Sequence, residues 1–340
     1  PQRDRLKRVE AFMRDYYQHA LNIFKLSILL EQRLAIVEPE RASISFKEVI
    51  NSRSKERPKL MDGFMVRGNE LTMENRRIFK EDPLRLIRVF RHRQQLGVKL
   101  AFDLTNLITK SLHLIDEEVI SSPEANQTFR SILSDLGNVY SSLNSMQDLG
   151  VLGKFIPEFD KLTCLVQHEY YHRYTIDFHV LNTIKQLDNV VTDTSKALRF
   201  YRDEVHKLDD PSILYLILLL HDIGKGVGIK GHHKVGVKIS KPILVRMGVD
   251  PMLHREILYI IGNHLEMARF WQHHDIDDPQ NIQSFANKVE TQTQLSLLFV
   301  HTYCDANGTS SSLWNNYKDM LHHQLFSATT TYLANERSLE

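Results

Sequence analysis

The chain has little of what would place it in several broad classes. Its 340 residues include only two cysteines, Cys164 and Cys304. They have no paired spacing, which argues against a disulfide scaffold and predicts buried, reduced thiols in a cytosolic protein. The longest apolar run is the eight residues from Ile213 to Leu220, far short of the ~20 that span a bilayer. Neither charge dominates, since 43 Lys and Arg face 42 Asp and Glu for a net charge of +1. That balance gives no global case for nucleic acid or membrane as partner. The first ten residues are mostly charged and polar, so no signal peptide is predicted. No internal repeat and no low-complexity segment interrupts the chain. What remains is a globular composition, 42% hydrophobic and 25% charged, long enough for one large or two ordinary domains. Histidine is abundant: there are 17, many of them between His168 and His274.

The pattern predicts an all-α protein with one small hairpin. Leu6, Val9, Met13, Tyr16, Ala20, Phe24 and Ile28 mark one face of a helix over 6–38, which Pro39 ends. An exposed loop is expected over 40–60. Residues 63–73 read as a short hairpin turning at Gly68-Asn69. Asp82 as N-cap, Pro83 in the first turn and Gly97 at the end delimit the next helix. On it, Arg85, Arg88 and Arg91 form either a phosphate- or RNA-binding stripe or a solvated face. Further helices are expected over 104–115, after Ser122-Pro123 and over 137–149, followed by a break at Gly150. From about 160 onward the pattern is helical throughout.

The run Ile213–Leu220 ends in His221-Asp222-Ile223-Gly224-Lys225. An imidazole and a carboxylate at the end of a buried segment are costly unless paired, and a divalent cation accepts both. A bare His-Asp pair more often marks a helix that merely surfaces. Here His179 precedes it, and His232, His264 and Asp305 follow, each beside apolar residues at helix-like spacing.

That series resembles the HD superfamily of metal-dependent phosphohydrolases. The Asp82-Pro83-x-Arg85-x-x-Arg88 string and the stretch from Leu149 to Glu158 resemble the linker and helical body of tRNA nucleotidyltransferases and poly(A) polymerases. The Gly-Ser and paired aspartates of their catalytic head are missing, and the one Asp-x-Asp, Asp275 to Asp277, lies in the HD half. No nucleotidyltransferase site is therefore expected. One family joins such a linker to an HD domain, the bifunctional PII uridylyltransferase/uridylyl-removing enzymes. Phe12 to Tyr17, Gln167 to His179, Asn263 to Met267, Asp275 to Pro279, Ala286 to Val289, and Asp305 with Trp314 to Lys318 all resemble it. Two segments depart from the family pattern. His273-His274 stand where it has an Arg pair, and Ala306-Asn307-Gly308-Thr309 where it has Ile-Arg-Ala-Thr. These departures bear on substrate more than on metal.

The resemblance implies a helical linker region over 1–158 and an HD domain over 159–340, similar to that enzyme's middle without its head or its ACT regulatory domains. It implies that His179, His221, Asp222 and Asp305 hold one metal ion, with Asp222 bridging to a second held by His232 and His264. Mn or Mg is expected first, with Fe, Ni and Zn compatible. His232 is preferred to His233 because its distance to Gly236 fits the family's His-x-x-x-Gly. Asp222, Lys225 and His172 are the candidate catalytic residues. For Lys225 the alternative is a solvent-facing lysine at a helix C-terminus, and for His172 a core histidine. The implied reaction removes UMP from a tyrosine of the PII signal protein, with neither membrane nor nucleic acid as partner. The alternatives are an HD nucleotide phosphohydrolase with another substrate, or a non-catalytic regulatory or RNA-binding fragment of a nucleotidyltransferase.

Overall fold

The computed structural model describes residues 2–34, 60–166 and 175–337. The expected loop over 40–60 falls, apart from Leu60, outside the described residues, as do His168 and His172. Helices that bear on the site are labelled in chain order and the shorter ones are given by range. They are α1 (Gln2–Leu34), α2 (Arg85–Leu96), α3 (Tyr140–Asp148), α4 (Ile176–Thr192), α5 (Ser212–Leu220), α6 (His232–Arg246), α7 (Pro251–Asn263), α8 (Gln292–Thr309) and α9 (Asn316–Arg337). No helix among the described residues is long and apolar enough to cross a membrane.

The hairpin forms as read, with Phe64–Arg67 (β2) against Glu70–Met73 (β3) about Gly68-Asn69. It is extended beyond the expectation by two strands of two residues each. Leu60–Met61 (β1) pairs antiparallel with β2, and Lys99–Leu100 (β4) pairs parallel with β3. Strands that short carry no alternation a sequence can display.

Gly97 ends α2 in the left-handed conformation, with φ 64°, as its lack of a β-carbon allows. Asp82 caps the approach by accepting from Leu84 N at 3.0 Å, though the regular helix starts later, at Arg85. The arginine stripe on α2 is structural. Arg85 Nε and Arg88 Nε donate to the Asp62 carboxylate at 3.0 and 2.8 Å, and His92 lies 3.3 Å from it. Arg88 also reaches Asp82 and Glu124, and Arg91 reaches Asp135 at 3.2 Å. Burial pushes the Asp62 carboxyl up, but its bonds to Arg85 and His92 bring it below its ordinary value. The stripe pins the β1–β2 turn to the helix.

Residues 123–133 form the helix begun by Ser122-Pro123, with Ser122 Oγ accepting from Ala125 N. Asp188 of α4 accepts from Val139 N and Tyr140 N at 3.3 and 2.8 Å, satisfying N–H groups at the start of α3 that have no partner within the helix. Tyr215 of α5 completes this junction, donating to Asp188 at 2.7 Å and accepting from Gly137 N at 2.9 Å. Arg246 and Glu158 form a two-pronged ion pair nearby, at 3.0 and 3.1 Å.

The C-terminal half is organised around α8, which buries Leu295, Leu297, Leu298, Phe299 and Val300 on successive faces, as expected of a helix enclosed by others. Its main partner is α4, and the two pack tightly where Gly308 meets Thr183. A β-carbon there would sit 2.6 Å from Thr183 Cγ2 and 2.8 Å from its backbone nitrogen. All eight apolar residues of α5 are buried. Cys164 and Cys304 are both buried thiols.

Candidate metal centre

Five helices deliver the predicted ligands to one point. His179 lies in the first turn of α4 and Asp305 in the last turns of α8, so the close α4–α8 packing brings them together. His179 Nε2 is 3.1 Å from Asp305 Oδ1. His221 is the residue that ends α5, and His264 the residue that ends α7. His232 opens α6. The C-terminal ends of α5 and α7 thus face the site with their partial negative charge, which favours a cation.

The histidines are oriented alike. Nδ1 of His221, His232 and His264 each meets the backbone carbonyl three residues earlier, Leu218, Ile229 and Ile261, at 2.8, 2.9 and 2.9 Å. A carbonyl only accepts, so Nδ1 carries the proton and Nε2 keeps its lone pair. His179 Nδ1 lies 3.3 Å from Thr309 Oγ1.

All four Nε2 atoms converge on Asp222, and they divide its carboxylate. Oδ2 is 3.6 Å from His179 Nε2 and 3.4 Å from His221 Nε2. Oδ1 is 3.4 Å from His232 Nε2 and 3.9 Å from His264 Nε2. His179, His221 and Asp222 form one compact group able to hold a metal ion, and Asp222, His232 and His264 form a second. Asp305 Oδ1 also lies 3.7 Å from His221 Nε2. Lys225 sits on the 3₁₀ turn Ile223–Gly226 and donates from Nζ to Asp222 Oδ2 at 2.7 Å. It is buried, so the alternative of a solvent-facing lysine does not hold. Gly224 lets that turn rest on the start of α6, since a β-carbon would sit 2.0 Å from the His232 carbonyl oxygen.

The electrostatics are those of a cation site. Burial pushes the Asp222 carboxyl up, but Lys225, His221 and His179 together hold it well below its ordinary value. Asp305 is likewise held low against burial by its bond to His179 and by His221. Burial lowers His221, yet Asp222 and Asp305 raise it above the usual imidazole value. His264 is pushed down to about 4 by burial and by His221, and His232 is lowered by burial. Those two are neutral near pH 7, as ligands must be.

These residues floor a cleft of about 770 Å³, whose walls include Lys230, Arg269, Trp271, Trp314 and Lys318. His232 and His233 both line the cleft, and His232 Nε2 lies 3.4 Å from Asp222 Oδ1. Ala306 and Thr309 also line the cleft, whereas exposed His273 and His274 do not. The sequence reading missed His301. It is fully buried one turn before Asp305, with its ring 5.1 Å from His221 and 5.7 Å from His264. Neither ring nitrogen has a hydrogen-bond partner among the described residues. The available signal was the His301–Asp305 spacing, which puts both on one helix face.

Residues 64–155 match the family described as "Uridylyltransferase GlnD third domain", and residues 180–292 match the HD domain. The chain is 31% identical over 330 residues to a bifunctional uridylyltransferase/uridylyl-removing enzyme of Cereibacter sphaeroides, covering 96% of this chain and 34% of that protein. It is 32% identical over 328 residues to the protein of the same name from Caulobacter vibrioides, covering 94% and 34%. The chain therefore spans about a third of the length of these relatives. Among solved structures it is similar to a tRNA-processing enzyme in an apo form, with TM-score 0.47 and 13% identity over 77% of this chain and 63% of that one.

Proposed function

We propose that this chain, which resembles the bifunctional uridylyltransferase/uridylyl-removing enzymes along nearly all of its length and carries an HD domain, is a metal-dependent phosphodiesterase that removes UMP from uridylylated PII protein. The observation that carries this reading is the divided Asp222 carboxylate, with Oδ2 toward His179 and His221 and Oδ1 toward His232 and His264. The residues fit a divalent cation pair. Asp222 Oδ1 and His221 Nε2 are buried with no hydrogen-bond partner among the described residues, an arrangement that is costly unless something charged binds there.

His179, His221, Asp222 and Asp305 would hold one ion, and His232 and His264 with Asp222 would hold a second. Mixed imidazole and carboxylate donors suit Mn or Mg, with Fe, Ni and Zn also compatible. Bound there, the ions neutralise charge on the phosphoryl group and lower the pKa of a water nucleophile. Lys225 holds Asp222 in register and presents an ammonium donor to a phosphoryl oxygen. His172 is kept as a group that contacts substrate. The leaving phenol, with a pKa near ~10, departs more readily than an alkoxide. The linker-to-HD boundary is read at 158/159, between the two family matches. We read no transferase site among the described residues, because the chain lacks a Gly-Ser pair and its Asp-x-Asp, Asp275 to Asp277, lies in the HD half.

Metal analysis of the purified chain, followed by UMP release from uridylylated PII and from free uridylyl-tyrosine, tests the reading. We expect bound divalent metal and far faster release from the protein substrate, because binding energy remote from phosphorus favours it. Equal rates on both would favour a general nucleotide phosphohydrolase. A metal-free chain that releases no UMP would overturn the enzyme assignment.

A further inference from the structure

The chain has only two tryptophans, and both line the cleft above the histidine–carboxylate floor. Trp314 is held in one orientation. Its Nε1–H donates to Asp319 Oδ1 at 2.9 Å, and the same oxygen accepts from Tyr201 OH at 2.7 Å. Trp314 also meets the rings of Tyr303, His322 and Trp271 edge-on, at 5.6, 5.2 and 6.3 Å. Trp271 differs in one respect. Its buried indole Nε1–H has no acceptor among the described residues, and an indole N–H can only donate. Leaving such a donor unsatisfied is costly, and it belongs to a ring that lines the cleft edge-on to Trp314. Lys225, Lys230, Arg269 and Lys318 add positive charge around the same cleft.

We infer that Trp314 and Trp271 form a nucleobase subsite, in which the base of a nucleoside monophosphoryl group stacks on Trp314 and one of its carbonyl oxygens accepts from Trp271 Nε1–H. This rests on the phosphodiesterase reading, and it names which part of the substrate the cleft recognises. A pyrimidine carries both the flat ring and the carbonyl oxygens, whereas the phenol of a tyrosyl group has the ring but a poorer acceptor. Asp319 is a positioning residue, since it acts on the ligand only through the Trp314 indole.

The test is calorimetric binding of UMP, ribose 5-phosphate and phenyl phosphate to the full chain loaded with Mn, with metal content measured for every variant. Wild-type protein should prefer UMP over ribose 5-phosphate by about tenfold or more, the scale of one base stacked on an aromatic ring. Trp314→Leu should abolish that margin, Trp314→Phe should keep most of it, and Trp271→Phe should reduce it, all with unchanged metal content. UMP binding should also quench the tryptophan fluorescence of the wild type. Equal binding of UMP and ribose 5-phosphate by wild type, or a margin that survives Trp314→Leu, would overturn the subsite. A loss confined to phenyl phosphate would overturn it in favour of a tyrosyl site. Failure of the phosphodiesterase reading shows separately, as absent metal and no UMP release.

Discussion

Lys225 Nζ donates to Asp222 Oδ2 at 2.7 Å, with both side chains buried. The ammonium thus lies against the same oxygen that faces His179 and His221. A buried ion pair of this kind is sensitive to loss of one partner, yet Asp222 keeps four imidazoles around it when Lys225 is removed.

Lys225→Met should therefore retain metal while slowing UMP release by about 10²–10³, the usual cost of removing one donor to a developing phosphoryl charge. Parallel metal analysis and steady-state kinetics check this. Wild-type turnover in the variant would restrict Lys225 to holding Asp222.

Asp222→Asn should empty both metal positions at once, because one carboxylate serves both ligand groups. Elemental analysis should find no tightly bound metal, hydrolysis should fall below detection, and far-ultraviolet circular dichroism should stay close to wild type. Retention of one full equivalent of metal would remove Asp222 from the shared position.

Gly224→Ala should be disruptive out of proportion to one methyl group. The added carbon would lie 2.0 Å from the His232 carbonyl oxygen and 2.7 Å from Gly236 N, backbone atoms that cannot rotate away. The start of α6 must shift, moving His232. We expect a loss of about 2 kcal/mol or more in denaturant unfolding and weaker metal binding. A variant with unchanged midpoint and metal content would show that the turn accommodates the methyl.

His322, which is not one of the candidate ligands, is expected to add a pH dependence to stability. It is fully buried, with Nε2 3.0 Å from the Phe299 carbonyl oxygen and its ring stacked 4.5 Å from Phe299. Burial pushes its pKa down to about 3 from the ordinary 6.5. Below pH 6.5 the unfolded chain takes up a proton that the folded chain refuses. The stability it confers is complete above 6.5 and is lost as pH falls toward 3, at up to about 1.4 kcal/mol per pH unit. Urea midpoints measured on metal-free protein from pH 7 to 5 should fall, and His322→Gln should flatten that slope. An unchanged slope would assign the acid sensitivity to the other buried histidines.

The helical class, the hairpin at Gly68-Asn69, the stop at Gly97 and the candidate ligands were legible along the chain, because periodicity, turn chemistry and the His-Asp series are local signals. The sequence also placed the four histidines and two aspartates that the structure brings together. Tertiary structure decided the rest. In sequence, Arg85, Arg88 and Arg91 resemble a solvated face more than a binding stripe; only the fold brings Asp62 onto Arg85 and Arg88 and Asp135 onto Arg91. The strands at 60–61 and 99–100 exist only through their neighbours. His301 is an ordinary residue on α8 until packing surrounds it with His221 and His264. The division of Asp222 between two sets of imidazoles depends on helix ends meeting within a few ångströms, a relation between distant segments that no spacing along the chain encodes.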